Sequence, residues 1–588
     1  LTARLLPLPS RGRAGEGGQR RRAAGAASGL LSLPYALWLL AAFAAPLGAV
    51  ALLSVQESSE MFAPLSLTPS AAQYAELTGD PFYRRVFLNT LVLGASVAAA
   101  CAILGYPLAL WLTRLPPRWK PLGFAIILVP LLTNVVVRSL GIILLLAPRG
   151  IVASLAVELG LPRPDLLFGW FAVGLALTQV FLPFTVLALY DVLEAQEKRL
   201  EEAAAGLGAG SAMRFWRVTL PLSLPGLRAG LVITFLLASE SYVSATLVGG
   251  RKVWVSGMIV LKEGLEILNY PLAAALAMLM LGAGILATFL IGRAIAALTP
   301  WAAGRVPRLR LSAPPALRRA VVATAEALAP VVSRVLLALA ILLLVFPLLL
   351  VAVASVNDSP QATVAQFVGF TWRWYAAVLQ NERYLSDAWN SVQLALACVA
   401  VSLGIALPAA FALVRGTFAG REALGALFML PLALPGIAIG LGMLRLLQWF
   451  TALPPFLGIL AVHVVLVAPF MLMLLRASVA GLDRSLEEAA GGLGAPPARI
   501  FRRVILPQLG PGIAVACVIG FLISFGEVTV TAFLTTARLQ TLPVRIYAEA
   551  TFSLENTVNA ISTIFILMTV ALLLLVNRVM PLDRVWRR

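Results

Sequence analysis

Residues 201–226 read EEAAAGLGAGSAMRFWRVTLPLSLPG, and residues 487–512 read EEAAGGLGAPPARIFRRVILPQLGPG. Both copies hold Glu-Ala-Ala, a Gly four residues after the last Ala and Leu-Pro twelve residues beyond it, and Glu202 and Glu488 stand 286 positions apart. The chain is therefore two related halves. Glu-Glu-Ala-Ala favours a helix with its acids at the positive end of the dipole, and the glycines from Gly206 to Gly210 end it. A short basic amphipathic piece follows, with Phe215, Trp216 and Val218 apolar and Arg214 and Arg217 charged. Pro221 is expected to stop that piece. Helix, glycine hinge, helix and proline stop predict a compact knob between two membrane spans. The bland reading is a well-capped interfacial turn. The same spacing in both halves argues instead for a docking surface.

Composition sets the surroundings of the knobs. The chain has 588 residues, of which 60% are hydrophobic and 12% charged, outside the range of soluble globular proteins. It reads as a polytopic, all-α membrane protein. The net charge of +18 is spread over short loops between apolar runs. That pattern sets topology and does not suggest nucleic acid as a partner. Cys101, Cys398 and Cys517 lie singly in separate apolar runs and read as packing residues.

Taken in order, residues 1–29 form an Arg-rich tail, and residues 30–292 hold a first half with spans at about 30–53, 86–113, 122–147, 169–190, 227–248 and 272–292. An acidic loop with Glu57, Glu60, Glu76 and Asp80 follows the first span. Residues 293–333 are a basic linker whose one acid is Glu326. Residues 334–577 repeat the pattern, with spans at about 334–355, 389–414, 423–447, 457–476, 513–534 and 555–577, and 578–588 is a second tail. Asn89-Thr90 and Asn390-Ser391 open the second span of each half, and Pro183-Phe184 and Pro469-Phe470 lie in each fourth span. Six spans per half make two parallel six-helix repeats, twelve transmembrane helices in all. With the amino terminus inside, about 32 of the 45 Lys and Arg fall on inside segments. Both termini and both knobs are then cytoplasmic.

The chemistry is defined partly by what is missing. Lys120, Lys198, Lys252 and Lys262 are the only lysines and none follows Gly, so there is no phosphate-cradling loop. No Cys/His cluster is present for a metal, and no catalytic residue is expected. The lone His463 reads more readily as a packing or helix-bonding residue than as a proton relay. Glu240 and Glu527 lie in the fifth spans, and Ser241 occupies the position 286 residues before Glu527. One helical residue is a rotation of about 100°, so the direction of Glu240 is left open. A carboxylate at that depth costs a few kcal/mol and must face a cavity, a partner or a substrate. Two readings stand side by side: Glu240, Ser241 and Glu527 line a cation path, or the acids pair with Arg138, Arg445 or nearby hydroxyls as structural glue.

The repeated stretch resembles the EAA coupling loop of ABC importer permeases. The matching positions are Glu202, Ala203, Ala204, Gly208, Leu220 and Pro221, and Glu488, Ala489, Ala490, Gly494, Leu506 and Pro507. The first half, through LTNVVVRSLGIILLLAPRG and LLASESYVSATLVGG, resembles the first permease of spermidine/putrescine importers. The second, through FTWRWYAAVLQ, ISFGEVTVTAFLTT and TLPVRIYAEATFSLENTVNAIST, resembles the second. The resemblance implies the type I ABC importer permease fold in a bacterial inner membrane. It also implies two ATPase subunits on the knobs, with ATP and magnesium bound there, and an extracytoplasmic binding protein that delivers a small cationic amine. The external loop 356–388, with Trp372, Trp374 and Tyr375, is one place for that protein; an interfacial aromatic belt is the other reading. Those two permeases are ordinarily separate chains, whereas fusion is more usual in ferric-iron and thiamine importers. Ferric-iron, thiamine and phosphonate importers, and an ion-coupled secondary transporter, are the alternatives.

Overall fold

Long apolar runs satisfy their backbone groups internally as helices, and the computed structural model is helical throughout, with two isolated β-bridges among the described residues. It describes residues 29–57, 68–250, 252–299, 315–359, 364, 366–433, 435–450, 454–552 and 555–579. Residues 1–28 of the first tail, Glu60, residues 300–314 of the linker and the final tail from 580 lie outside the described residues.

The first half contains α1 (Leu33–Leu53), α2 (Pro81–Arg114), α3 (Lys120–Leu132), α4 (Val135–Glu158), α5 (Trp170–Glu194), α6 (Ser211–Glu240) and α7 (Tyr270–Leu298). The second contains α8 (Pro315–Ser355), α9 (Glu382–Arg415), α10 (Arg421–Leu432), α11 (Gly436–Trp449), α12 (Pro455–Ala480), α13 (Pro497–Phe525) and α14 (Asn556–Val579). Among the described residues eleven helices are long and apolar enough to cross a membrane, twelve if the pair α10–α11, bent by 87°, is counted as one broken span.

The third span of each half is broken, which the hydropathy pattern hides. The run 122–147 divides at Thr133–Asn134: Pro130 weakens the end of α3, and Asn134 Oδ1 accepts the Val136 N–H (2.6 Å) to start α4. The fifth spans also differ from expectation. Pro221 and Pro507 do not stop the basic pieces, which continue into α6 and α13. A π-turn, Phe215–Thr219 and Phe501–Ile505, precedes each Leu-Pro, and the Leu220 and Leu506 N–H groups reach back to the Phe215 and Phe501 carbonyls. The wider turn absorbs the donor that proline lacks. At their far ends α6 stops at Glu240 and α13 at Phe525, short of 248 and 534.

The fourth spans α5 and α12 are the most enclosed, with 78% and 72% of their apolar windows buried, consistent with helices that are hydrophobic on every side. Around them pack the second and fifth spans of the same half. The first spans reach across to the other half. A Cβ on Gly141 of α4 would collide with the Pro347 carbonyl of α8, and one on Gly442 of α11 with the Pro46 carbonyl of α1. Close backbone approach through glycine is how membrane helices gain packing contact without a hydrophobic drive between them. Cys101 and Cys398 are buried and Cys517 half-buried, all unbridged.

Candidate functional site: paired knobs and a pair of acids at helix breaks

Each knob begins with a nine-residue helix, Lys198–Gly206 or Arg484–Gly492. Each ends in a left-handed glycine, Gly208 (φ +82°) or Gly494 (φ +80°). The Ala209 N–H bonds to the Ala204 carbonyl (3.0 Å) and the Ala495 N–H to the Ala490 carbonyl (3.1 Å), closing the helix end. The turn leaves Leu207 and Leu493 each 90% exposed. Glu202, Ala203, Glu488 and Ala489 are exposed, and Ala204 and Ala490 are half-buried. Leu220 is buried at the root of its knob with Pro221 half-buried, whereas Leu506 and Pro507 stay exposed.

The sequence reading missed the anchors. Glu201 lies 3.5 Å from Arg114 and accepts from Thr219 Oγ1 (2.7 Å), while Glu487 pairs with Arg415 at 2.5 Å. In both halves, then, the first Glu of the doublet holds the knob to the last residue of the second span. The second Glu faces outward. The signal was available as an Arg closing each second span. Asp483 caps the second knob's helix through the Ser485 N–H (2.9 Å), and that bond holds its carboxyl below the usual range. Glu197 makes no such cap on the first.

At the opposite end of the bundle the landmark hydroxyls gain a role. Thr90 Oγ1 accepts the Ser256 N–H and Ser391 Oγ the Leu542 N–H, both at 2.8 Å. Each fixes the start of a helical segment between the fifth and sixth spans. Tyr83 OH donates to Glu263 (3.2 Å) and Tyr384 OH to Glu549 (2.6 Å), a second matched tie. Partial burial raises both carboxyls above their ordinary value, against the lowering effect of the tyrosine bonds. In the loop 356–388, Trp374 Nε1 donates to the Asn357 carbonyl and Tyr375 OH meets Ser355 Oγ, so both hold the loop down. Trp372, 63% exposed, stacks edge-on against Phe370.

The intramembrane acids both lie where helices break. Glu240 is the last residue of α6, and its Oε2 accepts the Gly436 N–H (2.5 Å) that opens α11 of the other half. Glu527 lies just past α13 and its Oε1 accepts the Val530 N–H (2.8 Å). A Cβ on Gly436 would lie 3.3 Å from Val530 and 3.9 Å from Glu240 Oε2, so the two acidic turns flank one glycine. Asn134 Nδ2 donates to the Gly526 carbonyl (3.1 Å) and Tyr242 OH to the Thr529 carbonyl (3.2 Å), completing the cross-half contacts. The one-residue displacement of Glu240 thus does not act as a helical rotation. Ser241 is already extended (ψ 115°) and half-buried, starting the link to the next short helix.

Among the described residues neither acid forms an ion pair. Arg138 donates to the Val180 carbonyl (3.1 Å), and Arg445 to Gln448 (2.8 Å) with its guanidinium 4.7 Å above the Tyr270 ring. His463 is satisfied at both nitrogens, by Ser524 and Thr531 at 2.8 Å, as a helix-bonding residue would be. Beside Glu240 opens a cleft of about 230 Å³. Phe87, Leu91, Phe235, Met280 and Pro435 make it largely apolar, with Ser239 and Glu240 as polar edges.

Two repeats, a knob in each half closed by a left-handed glycine and a helix-break junction at the interface fit a permease of the ABC importer class. The chain belongs to the family of binding-protein-dependent transport system inner membrane components, whose model matches residues 102–301 and 401–582. It is 33% identical over 198 residues to the spermidine/putrescine transport system permease protein PotB of Haemophilus influenzae, covering 33% of this chain and 69% of that one. It is 28% identical over 207 residues to PotC of the same organism, covering 35% and 80%. A probable ABC transporter permease of Sinorhizobium fredii is 27% identical over 516 residues, 84% of this chain and 87% of its own. The chain is thus a fused, multi-pass membrane permease with two family domains.

Proposed function

We propose that this chain forms the translocation path of an ATP-driven importer for a small cationic amine of the putrescine or spermidine kind. The observation that carries the reading is the pair of carboxylates, Glu240 bonded to the Gly436 N–H and Glu527 on the turn whose Val530 packs against the same glycine, neither with an ion-pair partner among the described residues. Backbone N–H groups compensate only part of the cost of a carboxylate at this depth; a passing ammonium group supplies the missing charge. The names of the PotB and PotC relatives support the same substrate class.

In this reading two copies of an ATPase seat on the knobs at Glu202-Ala203-Ala204 and Glu488-Ala489-Ala490, and ATP and magnesium belong to that subunit. A binding protein delivers the amine at the opposite face, and the amino terminus is cytoplasmic. Closure of the ATPase moves the knobs, and the half interface alternates its access between discrete packings. This chain transports and does no bond chemistry.

The test is uptake of radiolabelled putrescine and spermidine into proteoliposomes that hold the chain with its ATPase and binding protein, native against Glu527→Gln. ATP-dependent uptake that falls at least tenfold in the variant, with ATPase assembly retained, supports the path. Equal uptake by both removes Glu527 from it, and no uptake of either amine removes the substrate class.

A further inference from the structure

We propose that Glu326 is a positioning residue that ties the first knob to α8, so that α8 relays the knob's motion to the turn holding Glu527. The inference rests on the importer reading above. Glu326 Oε2 accepts from Ser211 Oγ (3.0 Å) and the Ala212 N–H (2.9 Å), and Oε1 accepts the Met213 N–H (3.0 Å). A carboxylate at the amino end of α6 also meets the positive end of its dipole. Gly210 completes the seat: a Cβ there would collide with the Glu326 carboxyl. The three bonds join the knob of one half to the first helix of the other.

Among the described residues no carboxylate is seated in this way on the second knob. At the positions 286 residues on stand Pro496 and Pro497 in place of Gly210 and Ser211. Proline brings a ring where the seat needs open space and no hydroxyl in the place of Ser211, and the Arg499 N–H, the counterpart of that of Met213, bonds to the Pro496 carbonyl (2.9 Å). The two knobs therefore differ in mechanics although their docking faces match.

From the seat a contiguous set of contacts runs to the acids. The part of α8 between Glu326 and Pro347 is about 32 Å long at 1.5 Å per residue. At Pro347 its backbone lies against Gly141 of α4. The capping residue of α4, Asn134, donates to Gly526 (3.1 Å), the neighbour of Glu527. Packed elements in series of this kind can carry coupling between sites, and the series is open to direct measurement. Glu326 acts through its bonds to the knob and the α8 backbone that carries it.

Spin labels provide the substrate-independent test. In the assembled transporter, labels at Trp216→Cys and Arg502→Cys report the separation of the knobs, and labels at Trp216→Cys and Leu342→Cys report the first knob against α8. All three are exposed positions. On trapping with ATP and vanadate, the knob-to-knob distance is expected to change and the knob-to-α8 distance to stay fixed. In Glu326→Ala the second distance is expected to change as well, and putrescine moved per ATP hydrolysed to fall about fivefold or more. In Ser211→Cys/Glu326→Cys, putrescine per ATP is low before treatment and is restored when a short bis-methanethiosulfonate joins the two thiols. A merely structural role in folding would not be rescued in the assembled protein.

If the native knob-to-knob distance does not respond to ATP, the importer reading falls and this inference with it. If it responds while the native knob-to-α8 distance changes too, or if Glu326→Ala leaves putrescine per ATP unaltered, the importer reading stands and the relay is refuted.

Discussion

Leu207→Ala and Leu493→Ala test the knobs as docking surfaces. Each side chain is 90% exposed, so truncation removes almost no contact within the chain itself, and stability in detergent should change by no more than about 0.5 kcal/mol. If an ATPase covers these side chains, each truncation forfeits burial of three carbons, about 2 kcal/mol, or roughly a 30-fold weaker dissociation constant. The leucines sit on separate knobs, so the double variant should lose about the sum of both effects. The assay is equilibrium binding of the ATPase to the purified chain, with thermal unfolding as the control. Native affinity in the double variant, at unchanged stability, would refute the assignment of these turns as the covered surface.

Two further outcomes follow from the geometry. Gly141→Leu and Gly442→Leu place side chains where backbone carbonyls of α8 and α1 now lie, and each should lower thermal stability by about 1–3 kcal/mol or more, with comparable loss in the two halves; unchanged melting in either variant would contradict the crossed first helices. The Asp483 cap should be sensitive to acid: its folded pKa is lowered, so its contribution is present above the ordinary carboxyl value of about 4 and is lost as pH falls through the folded value. Amide exchange at Ser485 should accelerate there while Arg199, whose helix lacks a side-chain cap, should show no such step.

Much of the arrangement is written locally in the sequence. Twelve spans follow from the length and apolarity of the runs, because a bilayer core admits only internally bonded backbone. The two halves follow from the repeated Glu-Ala-Ala, Gly and Leu-Pro spacing, and that spacing already implies an exposed knob. The left-handed conformation of Gly208 and Gly494 is likewise a local matter, since glycine alone enters it without cost.

Other features depend on elements far apart in the chain. Hydropathy averages over the break at Thr133–Asn134, because a buried helix break is as apolar as a continuous helix; Pro130 and the Asn134 cap decide it only when read together. Pro221 and Pro507 look like stops until the π-turns before them supply the compensating geometry. That Glu201 and Glu487 anchor while Glu202 and Glu488 face outward depends on Arg114 and Arg415, which come from another span.

The intramembrane acids mark the same boundary between sequence and structure. Their cost at bilayer depth, and hence their interest, is plain from residue type and position. Their convergence on Gly436, Glu240 directly and Glu527 through the turn that carries Val530, is tertiary: α6 and α13 end at different registers, and the amino end of α11 from the second half fills the gap beside Glu240. The sequence by itself determined the spans, the duplication and the knobs, because those follow from local composition and spacing. Only the tertiary structure decided the crossed first helices, the seat of Glu326 and the partners of Glu240 and Glu527, because each is a contact between segments that sequence proximity does not join.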